Sequence, residues 1–306
     1  MRVTALAGGV GAAKFLRGLV QVMDPSDLTI IGNVGDDATF HGLEVSPDLD
    51  IVAYTLSGQI AASGWGFEGD TTSALDQMRS YGIDGWFTLM DRDLGTHLAR
   101  TTWLREGIAL SEVTTRICAG LGISARLIPA TDDRLRTVLT VKAGIRREFQ
   151  EYFVKHRHEE EVTSVTFDGS ETARPAPGVL DAIETADLIL ISPSNPVISV
   201  GPILAVKGIR ETLRARRKNV TAISPIVEGA ALKGPADRLL PLLGAEVSAS
   251  GVAGLYQDFC SSFIVDERDP QEAGKVAALR MTPHLLDTVM TDPSVAARLA
   301  KEILAL

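Results

Sequence analysis

The chain has 306 residues, with 30 Lys plus Arg against 39 Asp plus Glu, a formal net charge of −9, 45% hydrophobic and 23% charged residues. This is the composition of a soluble, globular protein and excludes disorder as its dominant state; a chain of this length can bury roughly three-quarters of its extended surface. The acidic balance argues against nonspecific nucleic-acid binding and against docking on an anionic membrane, since both need a basic face, but anionic small ligands stay open because a few local cations and backbone N–H groups suffice.

In chain order, Val3–Ala7 is a short apolar run followed by Gly8, Gly9 and Gly11. A helical apolar period (Phe15, Leu16, Leu19, Val22) then predicts a helix over 12–22. Asp24-Pro25-Ser26 breaks it, and 28–31 is predicted as a second strand. This β-α-β opening belongs to a parallel, doubly wound sheet. The runs 188–191, 220–223 and 263–265 are short, continuous and apolar, as strands buried on both faces should be. They also fall far short of a membrane span, and Gly8 and Gly9 arrive too early for the apolar region of a signal peptide. Cys118 and Cys260 are too few for a disulfide framework and read as small core residues. A cytoplasmic location is expected.

A helix is predicted over 208–216, and its basic end Arg214-Ala215-Arg216-Arg217-Lys218 suits a helix C-terminus on a solvated face. Residues 60–110 carry helical periodicity with Trp65, Trp86 and Trp103. Residues 134–175 read as a small β-rich excursion, after which Arg174-Pro175-Ala176-Pro177-Gly178 returns the chain to the core. Asp292-Pro293-Ser294 opens a last helix over 295–304. The expected fold is α/β: a Rossmann-like, three-layer, doubly wound and mostly parallel sheet formed by 1–133 and 176–306, with the excursion inserted as a smaller subdomain.

Each predicted core strand runs out into a polar loop rich in Gly or Pro, and in a parallel sheet these loops share the edge where such folds bind ligands. Gly8-Gly9-Val10-Gly11-Ala12-Ala13-Lys14 suits a phosphate, since glycines admit close approach and the helix N-terminus offers free N–H groups; Lys14 either pairs with that phosphate or is solvated. It is neither a complete dinucleotide fingerprint nor a P-loop, and Gly32-Asn33 stands where an NAD-binding strand would end in an acid. The following loop is dense in carboxylates: Asp36, Asp37, then His41, then Asp48 and Asp50. Such a group is tolerated when solvated or when it holds a cation, and hard oxygen ligands with retained waters suit Mg²⁺ at a phosphate site. Ser46-Pro47-Asp48 is also a good helix start in its own right. Helical spacing puts Asp93, His97 and Arg100 on one face, with Arg92 or Arg100 as an anion clamp or the whole set as a salt-bridge ladder. Ser192-Pro193-Ser194-Asn195-Pro196 offers hydroxyls and an amide to a base, ribose or phosphate. No zinc spacing and no nucleophile elbow occur. The residues therefore describe a nucleotide- or diphosphate-handling, Mg²⁺-dependent α/β protein.

Taken together, Ala7-Gly8-Gly9-Val10-Gly11-Ala12-Ala13-Lys14-Phe15, Asn33-Val34-Gly35-Asp36-Asp37, Ser46-Pro47-Asp48-Leu49-Asp50, Asp91-Arg92-Asp93-Leu94-Gly95-Thr96-His97, Pro129-Ala130-Thr131-Asp132-Asp133, Ser192-Pro193-Ser194-Asn195-Pro196 and Met290-Thr291-Asp292-Pro293 resemble the 2-phospho-L-lactate transferase family, the CofD type, over nearly the whole chain. One departure is Met90, where the family usually has Gly. The resemblance implies transfer of a phospho-organic-acid group (lactyl, enolpyruvyl or glyceryl) from a guanosine-diphosphate-linked donor to the terminal ribityl hydroxyl of 7,8-didemethyl-8-hydroxy-5-deazariboflavin, with release of GMP and a requirement for Mg²⁺. It implies Asp36 as metal ligand with Asp37 behind it, and Asp48 and Asp50 as acceptor-side carboxylates that take the hydroxyl proton or complete the metal shell. Arg92 and His97 would lie by the acceptor, which the segment 60–110 binds, and the Gly8 to Gly11 turn with the Ser194-Asn195 loop would hold the GDP portion. A homodimer is the base-rate expectation. The competing class is a non-enzymatic, nucleotide-sugar-binding regulator of the same superfamily.

Overall fold

Seven short runs build the central sheet: β1 (Val3–Ala7), β2 (Leu28–Gly32), β3 (Arg126–Pro129), β4 (Leu188–Ile191), β5 (Val220–Ile223), β6 (Ser262–Asp266) and β7 (Thr282–Leu286). In this computed structural model, which describes residues 1–306, they pair in parallel throughout in the order β7-β6-β5-β4-β1-β2-β3. Val3 stands opposite Leu28 on one side and Leu188 on the other. β1 and β5 are buried along their whole length, so their side chains face packed layers on both sides and need no polar alternation. The winding reverses between β1 and β4, and a crevice opens there at the carboxyl ends of the strands. The doubly wound α/β expectation holds.

Two strands of this sheet lie outside the sequence expectation. β3 is four residues long and begins at exposed Arg126. β7 is an edge strand that contains Pro283 and His284, and an edge tolerates proline because one side of the strand needs no ladder bond. The first helix, α1 (Gly9–Leu19), starts three residues earlier than the apolar period suggests. Glycines are weak helix formers, but here they sit in the first turn, where the chain must leave β1 sharply. The last helix, Pro293–Leu304, is capped by Asp292, whose Oδ1 accepts from the N–H groups of Ser294 (2.8 Å) and Val295 (3.3 Å), and it lies against α1.

The region after β2 forms the hairpin Ala38–Phe40/Leu43–Val45, then α2 (Pro47–Leu56), α3 (Ser73–Ser80) and α4 (Asp91–Arg105). Phe40 stacks on Phe87 with centroids 3.7 Å apart and meets the edge of Trp86 at 5.4 Å, which ties the hairpin to the loop before α4. Arg136–Val141, Ile145–Glu148 and Val162–Asp168 form a three-stranded antiparallel sheet with the first of them in the middle. Leu139, Val141, Phe149 and Tyr152 of this unit share a small core with Val197, Ile198 and Leu239. That core presses the chain between the second and third of these strands, including the π-helical turn Glu151–Lys155, against the loop that follows β4.

The closest helix contact is testable. A Cβ on Gly18 would sit 2.3 Å from the Ala296 carbonyl carbon, whereas one on Gly95 in α4 meets nothing within 4 Å. Gly18→Ala is expected to lower stability by about 1–3 kcal/mol, and Gly95→Ala to be neutral or to stabilise by up to about 1 kcal/mol. Urea midpoints of the two variants check this.

Candidate active site

The loops after β1, β2, β4 and β5 converge over the crevice and line a cavity of about 510 Å³. Its floor is the turn from β1 into α1. A Cβ on Gly8 would lie 2.5 Å from Asp48 Oδ2, and one on Gly11 2.4 Å from the Pro193 carbonyl oxygen, so nothing larger than hydrogen fits at either place. The Gly9 N–H donates to Asp48 Oδ1 (2.8 Å) and the Gly8 N–H to Ser194 Oγ (3.3 Å). Lys14 and Lys233 line the same cavity.

Asn33, at the end of β2, organises the acids. Its amide nitrogen donates to Asp48 Oδ2 (2.9 Å), Asp36 Oδ1 (3.3 Å) and the Ile198 carbonyl (3.2 Å), and its Oδ1 accepts from the Gly35 N–H (2.8 Å). Gln150 donates to Asp36 Oδ2 at 3.0 Å, and Ser46 Oγ donates to Asp37 Oδ2 at 2.8 Å. Asp37 Oδ1 is buried without a partner. All three acids are buried. Burial, reinforced by the charges of Asp48 and Asp37, holds the Asp36 carboxyl well above the usual range. Burial likewise pushes Asp37 to about 7 and Asp48 to about 6, against the opposing pull of Arg136 on the first and of Asn33 on the second.

A second cavity of about 590 Å³ adjoins the first and shares Trp65, Gln150 and Phe153 with it. Tyr54 of α2, with Phe87 and Met90 from the stretch before α4, gives it a largely apolar wall. Asp50 belongs here and not with Asp36 and Asp48. Two helical positions separate Asp48 from Asp50, a rotation of about 200°, so the two carboxylates leave α2 on opposite sides. Asp50 is gripped by both terminal nitrogens of buried Arg100, one of them 3.1 Å from Oδ2. Arg100 also donates to His97 Nδ1 (3.2 Å). Since arginine only donates, Nδ1 must accept, and the ring proton sits on Nε2, 3.3 Å from Asp93 Oδ1. The Tyr54 hydroxyl donates to that same oxygen at 2.7 Å. Burial pushes the Asp93 carboxyl up, but His97, Tyr54 and Arg100 outweigh it and leave it below its ordinary value.

The structure thus gathers Gly8, Gly9, Gly11, Lys14, Asn33, Asp36, Asp37, Asp48, Ser194 and Asn195 at or just behind the first cavity, and Asp50 and His97 at the second. Ser192 and Pro196 are buried in the loop that shapes the first cavity without lining it. Asn195 turns its Oδ1 inward to the N–H groups of Val197 (2.9 Å) and Ile198 (3.3 Å). Two expected residues are not brought in. His41 is exposed at the hairpin tip with φ +53. Arg92 leaves α4 on its outer face, donates to Gln59 Oε1 (2.7 Å) and lies 4.4 Å over the Phe67 ring. The helical face that points inward carries Asp93, His97 and Arg100 instead. The residues missed by sequence reasoning are Phe149, Gln150 and Phe153, whereas Trp65 belongs to the segment 60–110 that was expected to bind the acceptor. A π-helical turn leaves no periodic signal, and the excursion's alternation pointed only to strands.

No three His, Cys, Asp or Glu side chains converge so as to hold a metal ion on their own. The donor set does fit Mg²⁺ at a phosphate site, which uses one or two carboxylates and completes its shell with phosphate oxygens and water. Asp36 and Asp48 share one amide donor and face the cavity, and burial raises both carboxyls.

Two adjoining cavities that share Trp65, Gln150 and Phe153, the first lined by Asp36 and Asp48, lie on the carboxyl edge of a doubly wound sheet, the layout of a two-substrate group-transfer enzyme. The chain belongs to the CofD family of 2-phospho-L-lactate transferases, whose family model matches residues 3–301. Membership makes it a transferase of deazaflavin (coenzyme F420) biosynthesis that acts on small molecules, and the non-enzymatic alternative falls away. It is 44% identical over 313 residues to a phosphoenolpyruvate transferase of Kitasatospora aureofaciens, covering 100% of this chain and 98% of that one. It is 38% identical over 296 residues to a 2-phospho-L-lactate transferase of Methanosarcina mazei, covering 96% and 97%. A crystal structure from Bacillus halodurans shares the fold with a TM-score of 0.69 at 17% identity, over 99% of both chains.

The acid cluster has a pH consequence. An acid whose pKa is higher folded than unfolded loses stability as pH rises between the two values. For Asp37 that window runs from its ordinary 3.8 to about 7. With divalent ions removed, Asp37→Asn is therefore expected to stabilise the protein more at pH 8 than at pH 5, as read by urea denaturation at both. An equal effect at both would contradict the raised value.

Proposed function

We propose that the chain transfers a phosphoenolpyruvyl group from a guanosine-diphosphate-linked donor to the terminal ribityl hydroxyl of 7,8-didemethyl-8-hydroxy-5-deazariboflavin, releasing GMP. The observation that carries this is the meeting of the two cavities at Gln150, whose side chain donates to the Asp36 carboxylate. The first cavity suits a diphosphate: it offers the start of α1, two lysines and the Ser194 hydroxyl. The second suits a planar aromatic ring: Tyr54, Trp65, Phe87 and Phe153 line it. The enolpyruvyl choice follows the names of the more similar relatives.

The acceptor oxygen attacks the phosphorus distal to guanosine, the bond from that phosphorus to the bridging oxygen breaks, and GMP leaves with that oxygen. Little covalent work falls to the protein; positioning and charge neutralisation dominate. A magnesium ion held by Asp36 and Asp48 would neutralise phosphate charge. Of the cavity carboxylates, Asp48, raised only to about 6, is ionised at neutral pH and either completes the shell of that ion or takes the hydroxyl proton. Gln150 and Asn33 fix the Asp36 carboxylate from two sides. Asp50 acts from a distance: with Arg100 and His97 it stiffens the wall of the acceptor cavity.

Asp36→Asn is expected to lower kcat for GMP release by about 100-fold or more, while Arg92→Ala leaves it within about twofold because Arg92 lines neither cavity. Retained activity in Asp36→Asn would remove that residue from the reaction. Offered both donors, the enzyme is expected to make the enolpyruvyl product faster than the lactyl one, which mass spectrometry separates by two hydrogens. The reverse preference would overturn the donor assignment.

A further inference from the structure

The far wall of the second cavity has a feature that the transfer step does not use. Where the π-helical turn ends, Arg157 and His158 adopt φ of +51 and +46. Two successive residues with side chains in that left-handed region are strained. Hydrogen bonds hold them there: the His158 N–H donates to the Tyr152 carbonyl (2.9 Å), and the Tyr152 hydroxyl (3.3 Å) and Arg238 both donate to the His158 carbonyl. The result is that both side chains line the cavity. The His158 ring stacks on Phe153 with centroids 5.0 Å apart and planes 18° apart, extending the aromatic wall. Of the acids nearby in the chain, Glu151 and Glu160 are held by Arg147 and His156 and Glu161 by Lys142, while the exposed Glu159 forms no ion pair. Across the cavity, Asp50 is held by Arg100, and Asp93 by Tyr54 and His97. Arg157 is thus a guanidinium without a carboxylate partner, held by a strained backbone at the edge of an aromatic slot.

We propose that Arg157 determines acceptor specificity by binding an ionised oxygen of the acceptor's ring system. This rests on the acceptor assigned above. A ring hydroxyl conjugated through the aromatic system to the pyrimidine carbonyls is a vinylogous acid, and its conjugate base spreads negative charge over those oxygens. A planar guanidinium, always charged and donating through a fixed fork, matches that anion. An acceptor with the same ring but no ionisable hydroxyl would lose this contact while keeping the stacking on Phe153 and His158.

The test is calorimetric titration of the deazariboflavin and of its 8-O-methyl ether into wild-type, Arg157→Gln and Arg157→Lys protein. Wild type is expected to bind the free hydroxyl roughly tenfold or more tightly than the ether. In Arg157→Gln that ratio falls toward one through loss of affinity for the hydroxyl form, and Arg157→Lys recovers part of it. Arg157→Gly is expected to raise Tm, because glycine relieves the positive φ, while weakening binding of the hydroxyl form. Wild-type binding with no preference, or a preference unchanged in Arg157→Gln, would overturn the inference and leave the acceptor assignment standing. Failure of wild type to bind either compound would overturn both.

Discussion

The organisation of the site follows from one constraint: Asp36 and Asp48 must be held together in the protein interior by a single amide, Asn33. Two carboxylates that share a donor repel each other, and burial removes the water that would screen them. The surroundings are arranged around that difficulty. Gly8 has no side chain because Asp48 occupies the space one would need. The Gly9 N–H, at the positive end of α1, donates to Asp48, and Gln150 reaches in from the excursion to Asp36. Even so, burial leaves both carboxyls raised above their ordinary range.

The same constraint gives the excursion its role. Without the small core that joins Leu139, Val141, Phe149 and Tyr152 to Val197 and Ile198, the π-helical turn would have nothing to rest on. Gln150, Phe153, Arg157 and His158 would then lose their places at the two cavities. One element therefore steadies Asp36, stands between the two cavities and supplies a wall to each. The acid and base network of Asp50, His97, Asp93 and Arg100 does the corresponding work for α2 and α4, fixing the opposite wall of the second cavity.

Much of the fold was legible because parallel strands buried on both faces are continuous apolar runs: β1, β4 and β5 fall where the pattern puts them. β3 and β7 escaped because short strands at the sheet's edges carry Arg126, Pro283 and His284 where water can reach. At the site, the glycine turn and the Asp36-Asp37 pair were legible as residue types that phosphate and cation chemistry require. Asp50 was misplaced by treating 36 to 50 as one loop: Ser46-Pro47 starts a helix, and the helical turn carries position 50 to the opposite side from 48. Arg92 was misplaced in the same way, being next to the inward face of α4 but not on it. Gln150 and Arg157 could not be found locally, since their roles depend on partners such as Asp36 and Arg238 that are about 80 or more positions away in the chain.

The net charge of −9 gains a local meaning from this. An anionic diphosphate approaching two buried carboxylates is repelled unless a divalent cation lies between them, so the central claim is that donor binding and Mg²⁺ binding are coupled. Calorimetric titration of GDP into the protein, with Mg²⁺ saturating and with all divalent ions chelated, tests this most directly. Affinity is expected to fall by at least about 100-fold on chelation, and to become insensitive to Mg²⁺ when Asp36 and Asp48 are both replaced by Asn. Equal GDP affinity of the native protein with and without Mg²⁺ would contradict the claim.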